Sequence, residues 1–227
     1  MRDVGGIERL LQRALPATVS FRVLYRGDQP DEMSRHEESR SLSERAVASR
    51  RESFRLGRTA ARDALHQLGA GRPKIGVGTD REPLWPDRVV GSITHAGPYA
   101  AAAVGWRSEV GGIGIDLEVN RPFAGLRERV AFGVEREWLD ALEAEEAETA
   151  TIEIFSAKEA VFKAFYPRIG QFFGFEAATL EPAPSGDHYL GWLVDGLDTR
   201  YPAARSFRVH VSWHRDVVVA SLTLDPD

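Results

Sequence analysis

The chain has 227 residues, 43% of them hydrophobic, and a formal net charge of −5 at pH 7. That is enough apolar material for one sizeable core or two small ones, and the acidic balance gives no global attraction for a nucleic acid. Without cysteine neither a disulfide nor a thiolate metal site is possible, and no window has the apolar run of a signal peptide or a membrane span. A cytoplasmic protein, bound to neither membrane nor nucleic acid, is expected.

Residues 1–16 carry a short amphipathic pattern. Residues 26–40 are polar, with Gly27, Pro30 and several acids, and read as a loop. Ser41 and Glu44 fit a capping box at a helix start. Val47, Phe54, Ala61, Ala64, Leu65 and Leu68 then share one face of a helix over 43–68, closed by Gly69 and Gly71. Strands over 89–95 and 99–106, joined through Ala96, Gly97 and Pro98, predict a hairpin. In 113–119, Ile113, Ile115, Leu117 and Val119 alternate with Gly114, Asp116 and Glu118, as in a strand with one apolar and one acidic face. A second helical stretch over 134–165 is expected to break in its acidic middle, 143–148. Strands are predicted at 189–194, 207–213 and 217–224, with a turn at 214–216. A long helix followed by strands thus occurs twice. This predicts an α+β fold of two similar α/β halves, 1–110 and 111–227, with function at their junction.

Four places could carry chemistry. Asp116 and Glu118, two apart on a strand, point to the same side; they form either an acidic solvated face or one wall of a magnesium site completed by phosphate oxygens. In Phe155–Ala164, the residues Ile154, Ala157, Val161 and Ala164 make a buried stripe, leaving Glu159 and Lys163 one turn apart on another face. That pair is an ordinary surface ion pair unless Glu159 faces Asp116 and Glu118. In that case a third carboxylate could complete a metal site or accept a proton, and Lys158 and Lys163 could neutralise phosphate. Arg50 falls within the apolar stripe of the first long helix and Arg58 at its edge, while Arg51, Arg55 and Arg62 lie further out; Arg50 and Arg58 either snorkel or hold an anion. Finally, the small residues of Gly91–His95 permit close approach of a ligand, and His95 is either structural or a phosphate donor. The sequence has no phosphate-binding glycine loop of the G-x-x-x-x-G-K kind and no G-x-S-x-G elbow.

In order, Trp85-Pro86, GSITH, GIGIDLE and FSAKEAVFKA, with LPATV near the start and RRESFRLGRTAAR in the first long helix, resemble the 4′-phosphopantetheinyl transferases of the single-chain, pseudo-dimeric type, most nearly the actinobacterial branch. The resemblance implies two halves related by a pseudo-twofold axis, with coenzyme A and magnesium in the cleft between them. It implies that Asp116, Glu118 and Glu159 bind the metal, with the Leu117 carbonyl contributing, and that Glu159 deprotonates a serine of an apo acyl or peptidyl carrier protein. Lys158 and Lys163 match the lysines near the pyrophosphate, and Arg50, Arg58, Thr94 and His95 match positions that hold the nucleotide. Within 79–83, Asp80 stands where related sequences carry a basic residue, and Arg81 is the candidate to replace it. The rival readings are a magnesium-dependent phosphoester hydrolase and a non-catalytic coenzyme A binding module. Because internal duplication completes the site within one chain, a monomer is expected.

Overall fold

The structure is a computed structural model that describes residues 3–34, 47–121, 123–197 and 205–226. It opens with helix α1 (Val4–Ala14), strand β1 (Ser20–Tyr25) and the long helix α2 (Ala48–Gln67). A short hairpin, β2 (Gly76–Val77) with β3 (Pro83–Leu84), precedes β4 (Val89–Ala96), β5 (Tyr99–Trp106) and β6 (Gly112–Val119). Helices α3 (Leu126–Val130), α4 (Val134–Asp140) and α5 (Ala144–Ile169) follow. The chain finishes with β7 (Ala178–Pro182), β8 (His188–Leu193), β9 (Phe207–His214) and β10 (Val217–Leu224).

The strands form a three-stranded sheet ordered β1-β5-β4 and a five-stranded sheet ordered β6-β10-β9-β8-β7, with the β2-β3 hairpin apart. Each ladder is antiparallel. This is the mixed α/β architecture that the pattern of elements predicts. β5 owes its central place to small side chains: Ala100, Ala102 and Val104 pack beneath Leu56, Ala60, Ala64 and Leu65 of α2, while Ala101 and Ala103 face the other way. That second face shares one apolar cluster with Ile7 and Leu11 of α1, Ile113, Ile115 and Leu117 of β6, and Val217 and Val219 of β10. The opposite face of β10, through Val218, Ala220, Leu222 and Leu224, packs with Ile154, Ala157, Val161 and Phe165 of α5. Residues from both sheets therefore share a single core, and alternation along β6 and β10 decides which side chains enter it.

The β4-β5 hairpin forms as its sequence predicts, with Ala96 paired to Tyr99 and Gly97 at φ 53°, a left-handed conformation that glycine reaches without a Cβ penalty. Gly69 and Gly71, with φ of 86° and 74°, follow α2 as expected. The capping box at Ser41 and Glu44 lies outside the described residues. The second helical stretch breaks slightly earlier than expected, between α4 and α5, so that the acidic run begins α5 rather than interrupting a helix. Glu145 and Glu146 occupy its first turn, where the helix dipole favours negative charge.

The first long helix corrects two readings of its arginines. Arg50 is exposed in the first turn of α2, because burial against the sheet starts only at Leu56. Arg62, expected further out, is 1% exposed. Its Nε donates to Asp31 Oδ2 at 2.6 Å and its Nη2 to Oδ1 at 2.5 Å. Burial opposes ionisation of Asp31, but hydrogen bonds from Arg62 and Ser34 outweigh it and bring the carboxyl down to about 2. A helical wheel misses this because the partner lies 31 residues away.

Candidate active site

The site is built where α5 crosses β6. Gly112, Gly114, Asp116 and Glu118 occupy the face of β6 opposite its apolar side chains. A Cβ on Gly114 would lie 1.8 Å from the Ala160 carbonyl oxygen of α5, and one on Gly112 would lie 2.6 Å from that of Ala164. The two glycines therefore let the helix backbone descend onto the strand. One residue further along the same face, Asp116 meets side chains of α5 directly.

Asp116 is 5% exposed and accepts from three donors on two elements. Thr94 of β4 donates to Oδ1 at 2.9 Å, Lys163 donates to the same oxygen at 2.6 Å, and Ser156 donates to Oδ2 at 2.8 Å. Thr94 also accepts from the Leu117 backbone N–H at 3.2 Å, and Ser92 accepts from that of Ile115 at 3.1 Å. These two hydroxyls stitch β4 to β6 across a boundary that has no backbone ladder. Lys163 reaches the Ile115 carbonyl as well, at 3.3 Å.

Around this anchored carboxylate the charges are crowded. Burial, then the Asp116 charge, then Glu159 push Glu118 up to about 7 against the pull of Lys163. Burial raises Glu159 too, with Asp116 adding to it and Lys163 opposing. Partial desolvation lowers His95, and the Lys163 and Arg50 charges lower it further while Asp116 resists. These mutual effects place Asp116, Glu118, Glu159, Lys163 and His95 within one electrostatic neighbourhood, with Arg50 at its edge. Clustered shifts of this kind in a cleft mark a functional-site candidate.

From Glu159 and Lys163 a crevice of about 1140 Å³ runs along α5, with residues 79–93 forming its opposite wall. Its lining combines Glu159 and Lys163 at one end with Trp85, Phe162, Tyr166 and Phe172 along its length. Asp80, Arg81, Glu82, Asp87, Arg88 and Arg107 also line it, so the crevice suits a long ligand that carries both apolar and charged groups.

Two family descriptions match the chain: the 4′-phosphopantetheinyl transferase N-terminal domain over residues 37–105, and the 4′-phosphopantetheinyl transferase superfamily over residues 112–220. The chain is 32% identical over 225 residues, 95% of its length, to 4′-phosphopantetheinyl transferase PptT of Mycobacterium tuberculosis, of which 98% is covered. The chain belongs to the 4′-phosphopantetheinyl transferase superfamily. It is also 36% identical over 170 residues to the transferase Npt of Nocardia iowensis, covering 74% of this chain and 75% of that protein. With enterobactin synthase component D of Salmonella typhi it shares 34% identity over 129 residues, covering 55% and 53% of the two chains.

As a phosphopantetheinyl transferase the chain distributes its expected site residues unevenly. Asp116, Glu118, Glu159, Lys163, Thr94 and His95 are brought together. Thr94 is not a free donor to a nucleotide, since its hydroxyl serves Asp116 and Leu117. The Leu117 side chain lies in the shared core. Arg58 is buried with its guanidinium 5.1 Å from the centre of the Phe54 ring. Arg81 is exposed, has φ 70° and lines the crevice.

Lys158 is the clear correction. Instead of facing a phosphate it is 2% exposed, donating to Glu135 Oε2 at 2.7 Å and to the Phe175 carbonyl at 2.9 Å, with Phe132 5.3 Å from its Nζ. Glu135 in turn accepts from the Phe132 and Leu180 backbone N–H groups at 2.9 and 2.8 Å. Burial lowers the Lys158 pKa while Glu135 opposes that fall. Lys158 and Glu159 are adjacent in the chain, and 100° of helix rotation sends the two to different sides. Ser156, Ser92 and Gly114 were missed by sequence reasoning; the alternation of glycine with aspartate in GIGID was the available signal for the close helix contact.

The oxygen-only donors fit a hard divalent cation, and a cation would relieve the repulsion that raises Glu118 and Glu159. Among the described residues, however, no three Asp, Glu or His side chains are already closed around a metal position. No described helix is long and apolar enough to cross a membrane.

Proposed function

We propose that this chain transfers the 4′-phosphopantetheine moiety of coenzyme A to a serine of an apo acyl or peptidyl carrier protein, releasing adenosine 3′,5′-bisphosphate. The observation that carries the reading is that Glu159 and Lys163, which line the crevice, join Asp116 and Glu118 in one charged cluster, in a chain of this family. The two family matches, 37–105 and 112–220, support a division into halves 1–110 and 111–227 related by a pseudo-twofold axis, with the ligand in the cleft between them.

Asp116, Glu118 and Glu159, with the Leu117 carbonyl, would hold magnesium, which supplies charge neutralisation at the pyrophosphate oxygens. Lys163 adds a fixed cation beside the same oxygens, and His95, Arg50 and Arg58 extend positive potential toward the nucleotide. Glu159 is the base for the carrier serine, as a carboxylate on the crevice wall one helical turn from Lys163. The nucleophile comes from the partner. Residues 121–129, with exposed Arg121, Arg129 and Phe123, suit docking of an acidic carrier surface. Both halves of the site belong to one chain, so the active species is a monomer, working in the cytoplasm.

Intact-mass spectrometry of apo carrier proteins incubated with this protein, coenzyme A and magnesium tests the reading. A gain of one phosphopantetheine, abolished by EDTA, is the expected result. Adenosine bisphosphate release without mass gain on the carrier would instead indicate a hydrolase, and ligand binding without turnover a binding module.

A further inference from the structure

The β2-β3 hairpin forms one wall of the crevice but is poorly supported by its own sheet. Each strand has two residues, Gly76 paired with Leu84 and Val77 with Pro83, and among the described residues no third strand joins them. Two strands alone are marginally stable in water. The tip is drawn in by the Gly78 N–H to the Glu82 carbonyl at 2.9 Å, the Arg81 N–H to the Gly78 carbonyl at 3.2 Å, and the Asp80 N–H to Glu82 Oε2 at 3.0 Å. Arg81 holds φ 70° there, a conformation that costs a non-glycine residue free energy and persists only where its surroundings impose it.

What ties this tip to the opposite wall is a hydrogen bond between residues 86 positions apart, from the Tyr166 hydroxyl of α5 to Asp80 Oδ2 at 2.7 Å. Tyr166 lies three residues beyond Lys163 and seven beyond Glu159, so all three share a helix face, with Tyr166 about 10 Å along the axis from Glu159. Both Asp80 and Tyr166 line the crevice. A ligand with its charged end at Lys163 and a tail running along the aromatic channel must pass this crossing point.

We propose that Asp80 and Tyr166 form a positioning strap that closes the β2-β3 hairpin over the pantetheine arm of coenzyme A and slows its escape. The inference rests on the reading that coenzyme A occupies the crevice. It assigns neither residue to the chemical step. The bond is solvent-exposed, and a hydrogen bond of that kind contributes little enough net free energy to open spontaneously, which lets the arm enter sideways rather than thread. Hydrogen bonding to the Asp80 carboxylate pushes the Tyr166 phenol up to about 12, so the donor stays protonated at any pH where the protein would work.

The test compares Tyr166→Phe, Asp80→Ala, Asp80→Asn and the double variant Y166F/D80A in the full chain. Coenzyme A affinity is read by calorimetry, its dissociation by stopped flow, and kcat and KM at saturating carrier. Tyr166→Phe and Asp80→Ala should each raise Kd and KM for coenzyme A about 3- to 10-fold and speed dissociation in proportion, with kcat within about 2-fold. Asp80→Asn keeps an oxygen acceptor for the phenol but loses the charge that strengthens the bond, and should fall between the parent and Asp80→Ala. The double variant should be no worse than either single one, since both remove the same bond. Parent-like dissociation in Tyr166→Phe, or additive losses in the double variant, would overturn the strap while leaving the functional reading in place. Failure of the parent chain to bind coenzyme A at all would overturn both.

Discussion

Two lysines of α5, five residues apart, lead opposite lives. Lys158 closes a network in which Glu135, the Phe175 carbonyl and two backbone N–H groups satisfy one another away from solvent. Lys163 is one cation facing three carboxylates, and two of those carboxylates have raised pKa values despite it. A satisfied buried ion pair fixes the setting of a helix; an under-neutralised acidic cluster keeps an appetite for a further cation. The same helix thus has a face that holds position and a face that does chemistry, and the first makes the second reproducible.

The contrast can be broken most severely on the chemical face. Glu159→Gln should lower kcat for transfer by about 10²- to 10⁴-fold, the usual range for loss of a general base, while coenzyme A affinity measured by calorimetry stays within about 3-fold. A kcat close to the parent would remove the base role from Glu159. On the other face, Lys158→Met should act on stability: removing one partner of a buried pair strands Glu135 and costs about 3–5 kcal/mol in denaturant titrations. Adding Glu135→Leu should recover much of that loss. Lys163→Ala should lower kcat/KM by about 10-fold or more through lost charge stabilisation and cost less stability than Lys158→Met, because Lys163 is partly exposed and Asp116 keeps Thr94 and Ser156 as donors.

The smallest effect is a pH dependence. The folded chain holds the Glu118 proton up to about pH 7, whereas the unfolded chain releases it near the ordinary value of 4.5. The folded state therefore binds more protons across that window, and metal-free protein should lose stability as pH rises through it. Added magnesium should flatten the dependence by binding the ionised acids. Stability that rises with pH over the same window in Glu118-containing protein, but not in Glu118→Gln, would contradict this sign.

The sequence was legible where short-range periodicity settles the outcome. The β4-β5 hairpin, the two-faced β6 strand and the Ile154, Ala157, Val161, Ala164 stripe each follow from residues within a few positions of one another. The ordered motifs pointed to the family before any geometry. What stayed hidden depends on partners distant in the chain. Lys158 and Lys163 both flank the buried stripe, and only the position of Glu135, 23 residues earlier, sends one inward. Arg62 and Arg50 exchanged their expected burial for the same reason. The strands β1 and β7 were also missed.

The hydrogen bonds on Asp116 have a consequence for the order in which the molecule becomes useful. Its donors Thr94, Ser156 and Lys163 lie 22, 40 and 47 positions away, the first on the β1-β5-β4 sheet and the other two on α5. A nascent or partly refolded chain can possess α2, α5 or the β4-β5 hairpin and still have an aspartate with no defined orientation. A fragment that lacks the β1-β5-β4 sheet therefore lacks Thr94 and leaves Asp116 with the α5 donors alone.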